Sequence, residues 1–150
     1  MNILKPRLHA ACQAFIAQRM AAATQAMQAA QESANSDTKS SAGDKYETGR
    51  EMATQERDRH AGQLHQARQL AAELARISPD APCDAVRPGA LAHTSAGWFY
   101  LAISAGKLVV DGREVFAVSG AAPVALALKG KRAGEEAVFN GRAVRVLAVE

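Results

Sequence analysis

The chain has 150 residues, 48% of them hydrophobic, 22% charged and only 5% aromatic, a length that suits one ordinary domain or two small ones. Much of the hydrophobic share is alanine, which favours helix but supplies little burial. Eighteen Lys and Arg against fifteen Asp and Glu leave a net charge of +3, and no segment is a basic stripe, which argues against capture of nucleic acid by the whole surface. Cys12 and Cys83 make no disulfide framework, so a reducing cytoplasm is the expected compartment. Lys5-Pro6-Arg7 is followed by Gln13, Gln18 and Arg19 rather than by an apolar run. Neither a secretory signal nor a membrane-spanning helix is expected.

From about Lys5 to Ile77 the composition is helical, dominated by Ala, Gln, Glu and Arg. The series Leu4, Leu8, Cys12, Ile16, Met20, Ala23, Met27, Ala30, Ala34 keeps one narrow stripe on a helix of about thirty residues, roughly 45 Å long. It fails at Glu32 to Asp44, a stretch rich in cap and turn formers that predicts a thirteen-residue polar turn. A second helix is predicted from Asp44 or Lys45 to Ile77, stopped by Ser78-Pro79. Its apolar stripe, Leu64, Ala67, Leu70, Ala71, Leu74 and Ile77, lies at the far end, and Gln55, Glu56, Arg59 and Gln63 are expected inward nearer the turn. Together the two helices predict an antiparallel hairpin, with Leu4, Leu8, Leu70, Leu74 and Ile77 packing its base.

Beyond Pro79 the texture changes to short β-branched and aromatic runs bounded by turn signals. Strands are predicted at 90–93, 98–104, 107–110, 114–118, 136–139 and 143–149. Asp111-Gly112 and Asn140-Gly141 are strong two-residue hairpin signals. A short helix is predicted from Pro123 to about Lys129, started by the proline and stopped by Gly130. The expected class is α+β: a helical hairpin over 3–78, a linker at 79–83, and a small antiparallel sheet with one helix over 84–150. Strand alternation assigns Phe99 and Phe116 to the core, and Trp98 and Tyr100 to the surface or an interface.

The sequence has no phosphate loop, dinucleotide glycine fingerprint, Gly-x-Ser-x-Gly elbow or His-Glu-x-x-His, so self-contained catalysis has little support. His9 and Cys12 have the spacing of half a zinc site, but His60, His65, Cys83 and His93 offer no matching half, which favours a surface histidine and a seam cysteine. More informative is the turn. Asp37, Asp44 and Glu47 gather three carboxylates within eleven residues, interleaved with Lys39, Lys45 and Arg50. The dipole at the start of the second helix accounts for Asp44 and Glu47, but Asp37, beyond the first helix, gains nothing from it. Carboxylates at a tip suit weak binding of Mg²⁺, a hard ion that shares oxygen ligands with water and substrate phosphate.

These features resemble the GreA/GreB family of bacterial transcript-cleavage factors. The resemblance covers nearly the whole chain. It is most specific at Ala122-Pro123-Val124-Ala125-Leu126-Ala127-Leu128-Lys129-Gly130-Lys131-Arg132-Ala133-Gly134-Glu135-Glu136, similar to the family's Ser-Pro-Leu-Gly-Arg-Ala-Leu-Leu-Gly-Lys-Arg-Val-Gly-Asp-Glu. Tyr46 with Arg50-Glu51 is similar to the tyrosine and Arg-Glu that follow the family's acidic tip. The tip itself departs from the pattern: Asp37 matches the first acid, Ser40 stands at the second, and about two extra residues precede Tyr46. Either Asp44 or Glu47 supplies the second carboxylate from a shifted position, or the pair is gone and cleavage with it.

The resemblance implies a coiled-coil hairpin that enters the secondary channel of bacterial RNA polymerase and an FKBP-like domain that docks near its mouth through Pro123, Leu126, Leu128, Lys131 and Arg132. It also implies stimulated cleavage of backtracked RNA with Asp37, Asp44 and Glu47 as catalytic acids. Asp37 and Asp44 would hold a Mg²⁺ shared with the polymerase, and Lys39, Lys45 and Arg50 would form a basic surround. No cofactor would be stably bound, nascent RNA would be met only at the polymerase active site, and the chain would be a cytoplasmic monomer away from membranes, with contact to DNA left open. The competing readings are a non-cleaving channel regulator, an FKBP-like prolyl isomerase, and an adaptor that pairs its hairpin with other helices.

Overall fold

The computed structural model describes residues 3–37 and 43–150, and their side chains over 3–35 and 48–150. The element order is α1 (Leu4–Asp37), α2 (Gly43–Ala75), β1 (Leu91–Thr94), β2 (Gly97–Ala102), β3 (Gly106–Val110), β4 (Arg113–Ser119), α3 (Pro123–Leu128), β5 (Glu136–Phe139) and β6 (Arg142–Val149). The class is α+β, a helical hairpin followed by a small, mostly antiparallel sheet carrying one helix. Two compact units divide the chain: Ile16–Ala71, and a discontinuous one made of Met1–Phe15 with Ala72–Glu150. Among the described residues no helix is long and apolar enough to cross a membrane.

In the Ile16–Ala71 unit the predicted stripe is the buried one: Ile16, Ala23, Ala30 and Ala34 are at most 8% exposed, with Met20 and Met27 half-buried. Along α2 the inward positions are Ala53, Arg57, His60, Leu64 and Ala67, a spacing of four and three, whereas Gln55, Glu56, Arg59 and Gln63 are exposed. The expected inward set was therefore out of phase. The alternating four-and-three spacing from Ala53 to Ala67 averages 3.5 residues and places Arg57 and His60 between the alanines, so the seam follows the repeat rather than the large residues at its far end. Since each buried methyl or methylene group contributes about 0.8 kcal/mol, an alanine seam holds two helices far more weakly than a leucine seam.

Helix α1 continues five residues past the predicted break at Glu32. Gln31 Nε2 donates to Asn35 Oδ1 at 3.2 Å, an i to i+4 bond that carries polar residues along the helix surface. At the other end α2 stops at Ala75 rather than Ile77, because Arg76 and Ile77 donate to the carbonyls of Glu73 and Leu74 in a tightened last turn.

The sheet order among the described residues is β3-β4-β2-β1-β6-β5. Asp111 and Gly112 (φ 54° and 76°) and Asn140 and Gly141 (φ 52° and 74°) form the predicted hairpin turns, with both central residues left-handed. One pair departs from the antiparallel expectation: β2 and β4 run parallel, Trp98 opposite Val115 and Ala102 opposite Ser119. The hairpin signal lies between β3 and β4, so β3 turns back as the edge strand and β4 returns beside β2. Buried Val115 and Ala117 make β4 the apolar member of that hairpin, while β3 carries the exposed Lys107 and Val109.

One sheet face packs under α3, where Ala92, Leu101, Val124, Leu128, Val144 and Val146 form the centre of the core and Phe99 joins its edge. The other face is covered around Leu91, Tyr100, Val115 and Ala117, whereas Val138 of β5 and Leu147 of β6 stay exposed on it. Tyr100 is fully buried and meets His9 of α1, while Phe116 is 39% exposed, reversing the expected placement of the two rings. Helix α3 is six residues long and leaves Phe116 partly open beside Phe99, 5.9 Å between ring centroids. Meanwhile the first three turns of α1, remote in sequence, cover Tyr100.

Candidate functional site

Of the expected tip residues, Asp37 is the last residue of α1, and Asp44 and Glu47 are the second and fifth residues of α2. A carboxylate at the C-terminal end of a helix opposes the helix dipole, whereas the first turn of a helix favours one. Asp37 thus occupies the position that helix stability does not explain. The side chains of Asp37, Lys39, Asp44, Lys45 and Glu47 lie outside the described residues, as do Ser40 and Tyr46. Arg50 is described, exposed, and lines a cleft of about 60 Å³ with Asn35, Ala34, Ala53, Thr54 and Arg57. In that cleft Arg57 Nη1 donates to Gln31 Oε1 at 3.1 Å, tying α2 to α1. Sequence reasoning missed Arg57; its signal was its place in the Ala53, Arg57, His60, Leu64 repeat.

The second expected surface divides. Pro123 opens α3 as its first residue after Ala122, whose backbone is extended and whose side chain offers no cap. Leu126 is 59% exposed, whereas Leu128 is fully buried in the core and presents no surface to a partner. Lys131 is half-buried, and its carbonyl accepts from Val86 N at 2.9 Å while Gly130 N donates to Val86 O at 2.8 Å. Arg132 is exposed, pairs with Asp84 at 3.4 Å, and its amide donates to Glu135 Oε1 at 2.9 Å. Leu126, Pro123 and Arg132 are therefore the outward groups of this segment, and Leu128 holds them in place from below.

A third cluster takes in His9 and Cys12, which have the spacing of half a zinc site, together with Cys83; His9, expected at the helix surface, is buried, and Lys5, Arg87 and Tyr100 join the group. Lys5 is only 3% exposed, and its Nζ donates to Ala81 O at 2.8 Å and Glu150 O at 3.1 Å. Cys83 Sγ lies 4.0 Å from that ammonium and accepts from Arg87 Nε at 3.3 Å, a bond that raises the pKa of the arginine. Beside it, His9 Nδ1 is 3.0 Å from the Tyr100 hydroxyl, and burial pushes the His9 pKa down, with Asp80 opposing the shift. Burial also drives the Tyr100 phenol well above its ordinary range and the Cys12 thiol up to about 11. His9 and Cys12 are thus buried groups, His9 held to Tyr100. Among the described residues no three His, Cys, Asp or Glu side chains gather to hold a metal.

No protein-family model matches the chain, and no curated protein matches it in sequence. Among solved structures, the GreA factor homolog 1 (Gfh1) protein of Thermus thermophilus is similar over 90% of this chain and 92% of its own, at 21% identity and a TM-score of 0.36. A structure of the transcription factor Gfh1 is similar over 90% of each chain, at 19% identity and a TM-score of 0.35. At scores this low the likeness carries no function over to this chain.

Proposed function

We propose that this chain is a transcription elongation factor of the GreA/GreB type, which inserts its helical hairpin into the secondary channel of bacterial RNA polymerase and stimulates cleavage of backtracked RNA. The observation that carries this reading is the position of Asp37 at the C-terminal end of α1, where a carboxylate gains nothing from its own helix, at the end of a hairpin whose other helix opens with Asp44 and Glu47. Support also comes from the motif over 122–136, whose opening residues form the proline-started α3 that displays Pro123 and Leu126.

In this reading the acids complete a metal site rather than hold one. Asp37 and Asp44 would help carboxylates of the polymerase hold a Mg²⁺, whose chemistry there would be activation of water toward an RNA phosphodiester. The test is release of 3′ RNA fragments from stalled, backtracked elongation complexes on adding the full chain. Cleavage above the intrinsic rate supports the proposal; no acceleration at any Mg²⁺ concentration removes its catalytic part. A second reading, a regulator that occupies the channel without cleaving, is favoured by Ser40 at the family's second acidic position. It requires that the chain bind core polymerase and leave the RNA intact.

A further inference from the structure

We infer that Arg57 is a positioning residue, one that fixes how the tip-ward end of α1 lies against α2. This rests on the proposed function only in what the alignment is for: presenting Asp37 on one helix end and Asp44 and Glu47 on the other. The bond from Arg57 Nη1 to Gln31 Oε1 crosses between the helices, and Gln31 passes it on through its own Nε2 to Asn35 Oδ1 at 3.2 Å, one turn further up α1. Asn35 is two residues short of the end of α1.

The seam around this bond cannot do the same work. Its buried members here are Ala30, Ala34 and Ala53. A methyl group is a shallow knob: helices that meet only through alanine slide and splay at small cost, whereas leucine or isoleucine knobs lock into four-residue holes. A polar residue at a seam position biases alignment toward the arrangement that makes its hydrogen bond, most strongly when it is buried and more modestly at the seam's edge. Arg57 fits that description. It occupies a seam position with its guanidinium at the seam's edge, 41% of the side chain exposed, where it reaches Gln31 over the alanines and pairs with Asp58 at 3.3 Å.

The test uses the full chain and amide hydrogen exchange. Arg57→Met keeps the apolar stem and removes the donors. Losing a bond of this kind is expected to speed exchange about five-fold at backbone amides 28–35 and 48–56, while amides 4–15 stay unchanged. The exchanged pair Gln31→Arg with Arg57→Gln can remake the bond in the opposite sense and is expected to restore slow exchange. In stalled elongation complexes, Arg57→Met is expected to lower the maximal cleavage rate with no change in the factor concentration at half-effect, and the exchanged pair is expected to recover the rate. Unchanged exchange in Arg57→Met overturns the inference, and so does fast exchange that persists in the exchanged pair. If the wild-type chain stimulates no cleavage, the proposed function fails, and the exchange measurements still decide whether Arg57 positions the helices.

Discussion

His9 Nδ1 and the Tyr100 hydroxyl lie 3.0 Å apart, and both side chains are buried, so the first turns of α1 are joined to the middle of the sheet by a bond between an imidazole and a phenol. Burial lowers the pKa of His9 below its ordinary 6.5, which means that the folded chain takes up a proton at this site less readily than the unfolded chain. Stability contributed by neutral His9 is therefore complete above about pH 6.5 and falls away as the pH drops below it toward the lowered folded value. Urea midpoints at pH 7.5 and 5.0 are expected to show this loss, and His9→Asn is expected to flatten it. Asp80→Asn steepens it, because Asp80 is the charge that favours protonated His9.

At the β3–β4 turn, Asp111 has φ 54° and pairs through both carboxylate oxygens with Arg7. The two functions separate by substitution. Asp111→Asn tolerates the left-handed backbone and loses only an exposed ion pair, an effect of about 0.2–1 kcal/mol that high salt erases. Asp111→Val adds backbone strain of about 1–3 kcal/mol that salt does not touch. Denaturant midpoints at low and high salt distinguish them.

Leu126 and Leu128 stand two apart on α3, one 59% exposed and one fully buried. Leu128→Ala is expected to cost about 2–5 kcal/mol of unfolding free energy, as a cavity in the core does. By contrast Leu126→Ser is expected to fall within about 0.5 kcal/mol of the wild type. If the α3 segment docks on polymerase, Leu126→Ser lowers affinity for the core enzyme while the chain keeps its thermal midpoint.

If the chain stimulates RNA cleavage as proposed, Asp37→Asn and Asp44→Asn are each expected to reduce it by about two to three orders of magnitude, as loss of one preorganised group does. Affinity for polymerase is expected to hold, since neither residue belongs to the α3 segment. Should Asp44→Asn lower helix content by circular dichroism and leave cleavage intact, Asp44 serves only the start of α2.

For Cys12, burial and a thiol pKa pushed up to about 11 leave almost no thiolate near neutral pH. Iodoacetamide at pH 8 is expected to leave Cys12 unmodified in the native chain and to alkylate it fully in urea, read by peptide mass.

Local signals made much of this fold legible in the sequence. Asp111-Gly112 and Asn140-Gly141 fixed two hairpins because only a few residue types accept left-handed backbone at both central positions, and Pro123 marked the start of α3 because its ring suits a first helical turn. What escaped was non-local. Alternation put Tyr100 on the face opposite Phe99 correctly, but which face is wet depends on whether α1 returns to cover it, and nothing near Tyr100 reports that. The parallel pairing of β2 with β4 escaped for the same reason, since a hairpin signal names its own two strands and not the neighbour they choose. At the candidate site, the acids were visible by type and spacing, whereas Arg57 was hidden among other charged residues until the phase of the seam was known.

One compact unit is assembled from Met1–Phe15 and Ala72–Glu150, with residues 16–71 interposed in the chain. In genetic terms residues 16–71 are an insertion, and a cut at the predicted linker, 79–83, falls inside the discontinuous unit. A fragment beginning at Pro79 leaves behind His9 and Cys12, and so opens the Tyr100 side of the sheet to water, a recipe for a sticky and poorly folded product. A sound miniature keeps both ends and replaces 16–71 with a short flexible tether from Phe15 to Ala72. Such an armless variant tests the globular unit apart from the arm, and it offers a scaffold on which arms of other lengths and other tips can be mounted.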